Sequence, residues 1–115
     1  MKHIVHVDNS EFFRKLVKTF LSEKGFESES FSRGEDVMDA VNAGEVNCVV
    51  TGLSLADMSG EELLKRLTVS PKSVVKIVVT SSNDEAQYKR LKALGAKAII
   101  QKSGDWKSDL GEILK

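Results

Sequence analysis

Cysteine, net charge and long apolar runs are what this 115-residue chain has least of. With Cys48 as its one cysteine, the chain can close no internal disulfide, and a reducing compartment suits it. Cys48 itself reads as a small buried hydrophobe inside an apolar segment. Seventeen basic and 17 acidic side chains cancel, leaving no long-range field to gather nucleic acid or an anionic membrane. No apolar run approaches the ~20 residues of a bilayer span. The opening does not continue into an apolar stretch of ~7 to 15 residues either, because Asp8 and Asn9 interrupt it, so it does not resemble a signal peptide. The expectation is a cytoplasmic protein with no membrane segment and no direct nucleic-acid contact. The length is that of one domain, taken as residues 1–115 without a linker, repeat or low-complexity stretch.

What is present is an alternation of short Val/Ile-rich runs with longer stretches of helical period, the pattern of βα units around a parallel sheet. Strands are predicted at His3 to Val7, Glu27 to Phe31, Val46 to Thr51, Val74 to Thr80 and Ala98 to Gln101. The second is polar, with Glu27, Ser28, Glu29 and Ser30, which suits a solvent-facing sheet edge. In the first helix Phe13, Leu16, Val17, Phe20 and Leu21 recur on one face and Gly25 supplies a stop. Ser32 with Glu35, Ser59 with Glu62 and Ser82 with Glu85 have capping-box spacing and are predicted to start three later helices. Gly44 and Gly95 close the second and fourth, and the fifth runs from about Asp105 with Trp106, Leu110, Ile113 and Leu114 on its apolar side.

In an open parallel sheet the carboxyl ends of the central strands meet in one crevice. That rule brings together Asp8, Asn9, Thr51, Gly52, Thr80, Ser81 and Lys102. The run Val7 to Ser10, the run Leu53 to Gly60, Thr80 with Ser81, and Gly95 with Ala96 ahead of Lys102 together resemble the receiver domain of bacterial two-component response regulators. The likeness covers nearly the whole chain. It implies a CheY-like, flavodoxin-like three-layer α/β/α fold whose five parallel strands lie in the order 2-1-3-4-5, a topology the chemotaxis receiver exemplifies. It also implies a signalling module of a phosphorelay rather than an enzyme.

The same resemblance assigns roles by position. Gly52 stands where relatives carry the phosphate-accepting aspartate, and Asp8 with Asn9 stand at the acidic pair that holds Mg²⁺. Thr80 and Lys102 stand at the phosphoryl-binding positions, and Ile99 at the switch aromatic. Gly52 has no side chain to form an acyl phosphate, so no residue is assigned a catalytic part. Asp8 is the one carboxylate left at the metal position, where Mg²⁺ prefers several hard oxygen ligands. A lost unit charge weakens attraction for even a monovalent cation at about 4 Å by roughly 4 kcal/mol at an effective dielectric of about 20. Mg²⁺ binding is therefore expected to be weak or absent, and Asp8 is expected to pair with Lys102 in a near-neutral pocket. Ser103 replaces the family's proline after the lysine, and Ala56 replaces another in the loop after strand three.

Several residues have plainer readings. His3 and His6 fall on opposite faces of one strand and cannot chelate one ion from it. Trp106 has core spacing, whereas Tyr88 is a candidate surface contact. Lys89, Arg90, Lys92 and Lys97 form a basic region that reads as a solvated face or, by the family's habit, as a partner or self-association face formed by the fourth helix, fifth strand and fifth helix. The leading expectation is a phosphorylation-independent interaction module with a protein partner from a histidine-kinase pathway, and with homodimerisation left open. Alternatives are a receiver phosphorylated on Asp57, Thr51 or Ser54, an active receiver deliberately disabled at position 52, and a flavin-binding relative of the same fold.

Overall fold

A computed structural model describes residues 3–115, so the first two positions of the single domain expected over 1–115 lie outside the described residues. The elements run β1 (His3–Val7), α1 (Glu11–Glu23), β2 (Glu27–Phe31), α2 (Gly34–Asn42), β3 (Cys48–Thr51), α3 (Gly60–Val69), β4 (Val75–Thr80), α4 (Glu85–Ala93), β5 (Ala98–Gln101) and α5 (Trp106–Ile113). The five strands form one parallel sheet in the order β2-β1-β3-β4-β5, as the resemblance implied. Register runs Ile4 to Cys48, Cys48 to Val75 and Ile77 to Ala98, which aligns the carboxyl ends of β1, β3, β4 and β5 along one rim.

The sheet separates two packed layers. On one side α1 and α5 cover Ile4, Val50, Ile77 and Ile100 with Phe13, Val17, Phe20, Trp106 and Leu110. On the other, α2 and α3 cover Val5, Val7 and Val49, and Leu91 of α4 packs with Leu64 and Val78. Burying each such Val, Leu or Phe contributes about 1.5–3 kcal/mol. Trp106 is core, as its spacing indicated, stacked edge-on between Phe13 and Phe20 with ring centroids 5.2 and 5.6 Å away. The polar β2 sits at the rim with Glu27 and Glu29 exposed.

Two strand starts and two caps differ from the sequence reading. β3 begins at Cys48 rather than Val46 and β4 at Val75 rather than Val74. Val46 and Val74 are nonetheless buried, so apolar burial begins before ladder pairing does. Ser59 caps α3 by accepting from the Glu62 amide at 3.1 Å. Ser32 and Ser82 do not cap: Arg33 is the N-cap of α2 and Asp84 that of α4. The free amides of α2 instead donate to a distant carboxylate, Asp57, from Gly34 at 2.7 Å and Glu35 at 3.1 Å. Asp84 accepts from the Ala86 amide at 2.9 Å. Gly25, Gly44 and Gly95 end their helices with φ of 84°, 94° and 93°, the left-handed turn that glycine enters without a β-carbon clash.

His3 and His6 do point to opposite sides. His3 reaches Glu29 at 3.3 Å, whereas His6 is buried at 1% exposure against Phe13. Neither ring nitrogen of His6 meets a hydrogen-bond partner among the described residues. Burial, opposed by Asp8 and reinforced by Lys102 and Arg14, lowers its pKa from 6.5 to about 4. In the unfolded chain the imidazole takes up a proton as pH falls below 6.5, while in the folded chain it does so only near 4. Stability is therefore full above the upper value and is lost as pH falls across that window, by about 3 kcal/mol. Urea denaturation between pH 7 and 4 is expected to show this slope, and His6→Leu to flatten it; an unchanged slope would refute the assignment.

Candidate functional site

The rim formed by the strand ends holds a pocket of about 300 Å³ lined by Asp8, Asn9, Ser10, Leu53, Ser54, Val79, Thr80, Ser81 and Lys102. Asp8 leaves β1 and is held at three atoms. Its Oδ1 accepts from the Ser10 amide at 2.9 Å, its carbonyl accepts from Arg14 at 2.7 Å, and its Oδ2 lies 2.8 Å from Lys102 Nζ. The carboxylate is buried, and the lysine also stands 4.4 Å above the Phe13 ring, a cation–π contact. Such a pair satisfies a buried carboxylate with a half-buried ammonium without adding much net stability, but removing Lys102 leaves the carboxylate to bear a large desolvation cost.

Gly52, the residue after β3, is buried, and its amide donates to the Val7 carbonyl at 2.9 Å. A β-carbon built there would stand 2.6 Å from Asp8 Oδ2. The Asp8 carboxylate thus occupies the space into which a side chain at position 52 would project. Gly60 closes the same turn from beneath. Its amide donates to the Leu53 carbonyl at 2.9 Å, and a β-carbon on it would collide with the Gly52 carbonyl oxygen, so α3 starts with backbone against backbone.

The other sequence candidates are placed less evenly. Thr80 is buried, and its Oγ1 accepts from the Ser82 amide at 3.0 Å. Asn9 is exposed on the pocket lining and tied through its backbone amide to the Ser54 carbonyl at 3.2 Å. Thr51 is buried, and its hydroxyl donates to the Gly52 carbonyl at 2.8 Å. Ser54 is exposed on the pocket wall. Asp57 lies off the pocket at the start of α2, with Arg33 3.7 Å from its Oδ2. Partial loss of water opposes its ionisation, but the Glu35 and Gly34 amides and Arg33 outweigh that and hold its carboxyl below the ordinary range.

Ile99 is half-buried and packs against the Leu64, Val78, Leu91 cluster. Tyr88 is not the free surface contact its sequence position suggested. It is half-buried, its hydroxyl donates to the Ser82 carbonyl at 2.6 Å, and Gln101 donates both to that hydroxyl and to the same carbonyl. Of the basic region, Arg90 pairs with Glu61 at 3.1 Å and Lys92 donates to the Lys97 carbonyl at 3.2 Å. Arg14 has no part in the sequence reading, while Phe13, Gly60 and Gln101 enter it only as a helix-face residue, the end of the Leu53 to Gly60 run and a strand end, with no part in the site.

Residues 4–114 match the family described as the response regulator receiver domain. The chain belongs to that family. A receiver domain is a signalling module of two-component systems that interacts with histidine kinases and other proteins of those pathways, so the fold and broad function read from the sequence hold. The flavin-binding alternative is not favoured. Among curated relatives, the transcriptional regulatory protein GltR of Pseudomonas aeruginosa is 32% identical over 107 residues, covering 88% of this chain and 43% of that protein. This receiver therefore spans less than half the length of that relative. The sporulation initiation phosphotransferase F of Bacillus subtilis is 24% identical over 102 residues, covering 89% of this chain and 82% of that one. Among solved structures, the CheY-like receiver domain protein of Methanospirillum hungatei superposes with a TM-score of 0.89 at 24% identity, over 99% of this chain and 91% of that one. The receiver domain of a LuxO repressor protein from Vibrio parahaemolyticus superposes with a TM-score of 0.90 at 18% identity, over 98% and 86%. These two structures speak to the fold alone. No helix among the described residues is long and apolar enough to cross a membrane.

The crowding at position 52 gives a direct test. Gly52→Ala is expected to displace Asp8 from Lys102 and cost about 1–3 kcal/mol, the range of an overpacked core. In an Asp8→Ala background the same change should cost at least about 1 kcal/mol less, read as coupling in a urea double-mutant cycle. Strict additivity would show that the two residues do not compete for space.

Proposed function

We propose that this receiver acts without phosphorylation of its pocket, as a protein-interaction module rather than an enzyme. The observation that carries the reading is Gly52 at the acceptor position with the Asp8 carboxylate lying where its side chain would project. An acyl phosphate needs a nucleophilic oxygen open to the donor, and Gly52 has none. Asp8 is a poor substitute, because its Oδ2 is buried and engaged by Lys102. Asp57 has its carboxylate committed to the α2 amides, and Thr51 has its hydroxyl committed to the Gly52 carbonyl.

The residues present do not fit the family's Mg²⁺. The described residues hold no group of three or more carboxylate, histidine or cysteine side chains that could hold a metal ion, and the one carboxylate in the pocket already faces an ammonium group. Switching through the family's aromatic is also unsupported, since Ile99 carries no ring and packs against a core cluster. The partner face in this reading is formed by α4, β5 and α5. Its groove of about 510 Å³ has Ala98 and Ile99 at its base and Lys89 and Lys92 at its rim. A kinase-pathway protein or a second copy of the chain would dock there, in the cytoplasm and without nucleic acid.

Incubation with acetyl phosphate and Mg²⁺, followed by intact mass measurement, is expected to give no stable added phosphoryl group. An adduct would replace this reading with a receiver that uses another acceptor, and peptide mapping would name it. Gly52→Asp alone is expected to remain slow to label, because Asp8 crowds the position and Asn9 adds no charge to the metal site. Adding Asn9→Asp should raise labelling; rapid labelling of the single variant would contradict this account.

A further inference from the structure

Apart from the strand-end pocket, the carboxyl end of α1 and the length of α5 line a second groove of about 470 Å³. That lies within the roughly 300–1,000 Å³ typical of ligand-binding clefts. Phe20 and Leu114 lie buried beneath it, with Phe26 half-buried beside them. Gly111 lies within α5 at its wall, and glycine is the poorest helix former after proline. Nothing in the fold asks for glycine there. The positive-φ glycines are Gly25, Gly44 and Gly95, and a β-carbon at Gly111 would stand 3.6 Å from Phe20 Cζ, an ordinary contact. The effect of the missing side chain is to leave the edge of the Phe20 ring open to the groove.

The rim is basic in a chain whose net charge is zero. Lys24 and Lys107 make no ion pair among the described residues and hang over aromatic rings, at 5.7 Å from Phe20 and 5.8 Å from Trp106. Lys115 is the third lysine, matched by Glu112 at 3.0 Å. An apolar aromatic floor under two uncompensated ammonium groups is complementary to an apolar side chain flanked by carboxylates. We propose that this groove docks an acidic segment of a protein partner, with one apolar anchor on Phe20 and Phe26 and its carboxylates beside Lys24 and Lys107. This groove shares α5 with the face described above but no residue with the groove at Ala98 and Ile99, and it is independent of phosphorylation, so it stands or falls apart from the reading above.

The test uses the whole chain and two synthetic peptides, one of repeated Glu-Glu-Leu-Phe and one with every Glu replaced by Lys. Trp106 is the chain's one tryptophan and packs on Phe20, so its emission reports occupancy, and amide shift mapping locates it. The acidic peptide is expected to bind saturably, more weakly as salt is raised, with shifts centred on Lys24, Lys107 and Gly111; the basic peptide is expected not to bind. Gly111→Leu, which fills the groove, should abolish binding. Lys24→Gln with Lys107→Gln, both exposed, should weaken it at least about tenfold, and this pair keeps the test intact if Gly111→Leu fails to fold. The proposal is overturned by absence of saturable binding, by equal binding of the basic peptide, by lysine variants that bind like the parent, or by shifts centred on Ile99. Self-association of the chain that Gly111→Leu or the lysine pair removes would also overturn it, identifying a second copy as the occupant.

Discussion

The ion pair between Asp8 and Lys102 organises the strand-end rim of this receiver. One charge comes from the turn after β1 and the other from just beyond β5, so the pair spans the central strands. Each partner has further anchors: the Ser10 amide for the carboxylate and the Phe13 ring for the ammonium. Because neither charge is left without a counterpart, the pocket can be polar and buried without collapsing. The same pair lies close enough to His6 to act on its charge, and burial keeps that imidazole neutral at ordinary pH.

The loops flanking the pocket are fastened by groups from elsewhere in the chain. Asp57 ties the β3–α3 loop to the start of α2, and Arg66 bridges α3 back to Glu35 on α2. Across the pocket, the Ser82 carbonyl takes hydrogen bonds from both Tyr88 and Gln101, which binds the β4–α4 loop to α4 and β5 together. Loops of this kind are ordinarily the most mobile part of a domain. Here Asp57 and Gln101 cross-link them to elements that are not their chain neighbours, and Tyr88 adds a link to the adjoining helix.

Much of this was legible in the sequence, and for identifiable reasons. β1 and β5 could be read to the residue because their apolar runs end abruptly at polar residues, and the polar β2 because it lies between the helix stop at Gly25 and Ser32. Val46 and Val74 misled because a side chain can be buried before its backbone joins a ladder. Ser32 and Ser82 misled because capping-box spacing is a local signal, and a carboxylate 23 residues away in the chain competes for the Gly34 amide. In the site, topology alone gathers Asp8, Gly52, Thr80 and Lys102. No pattern announces the position of the Asp8 carboxylate over Gly52 or the Phe13 ring beneath Lys102, since each depends on packing between elements.

The close approach of Asp8 to Gly52 fixes an order of events at this rim. A side chain placed at position 52 must first push a buried anion aside from its counter-ion, so the electrostatic penalty arrives before any contact the new group could make.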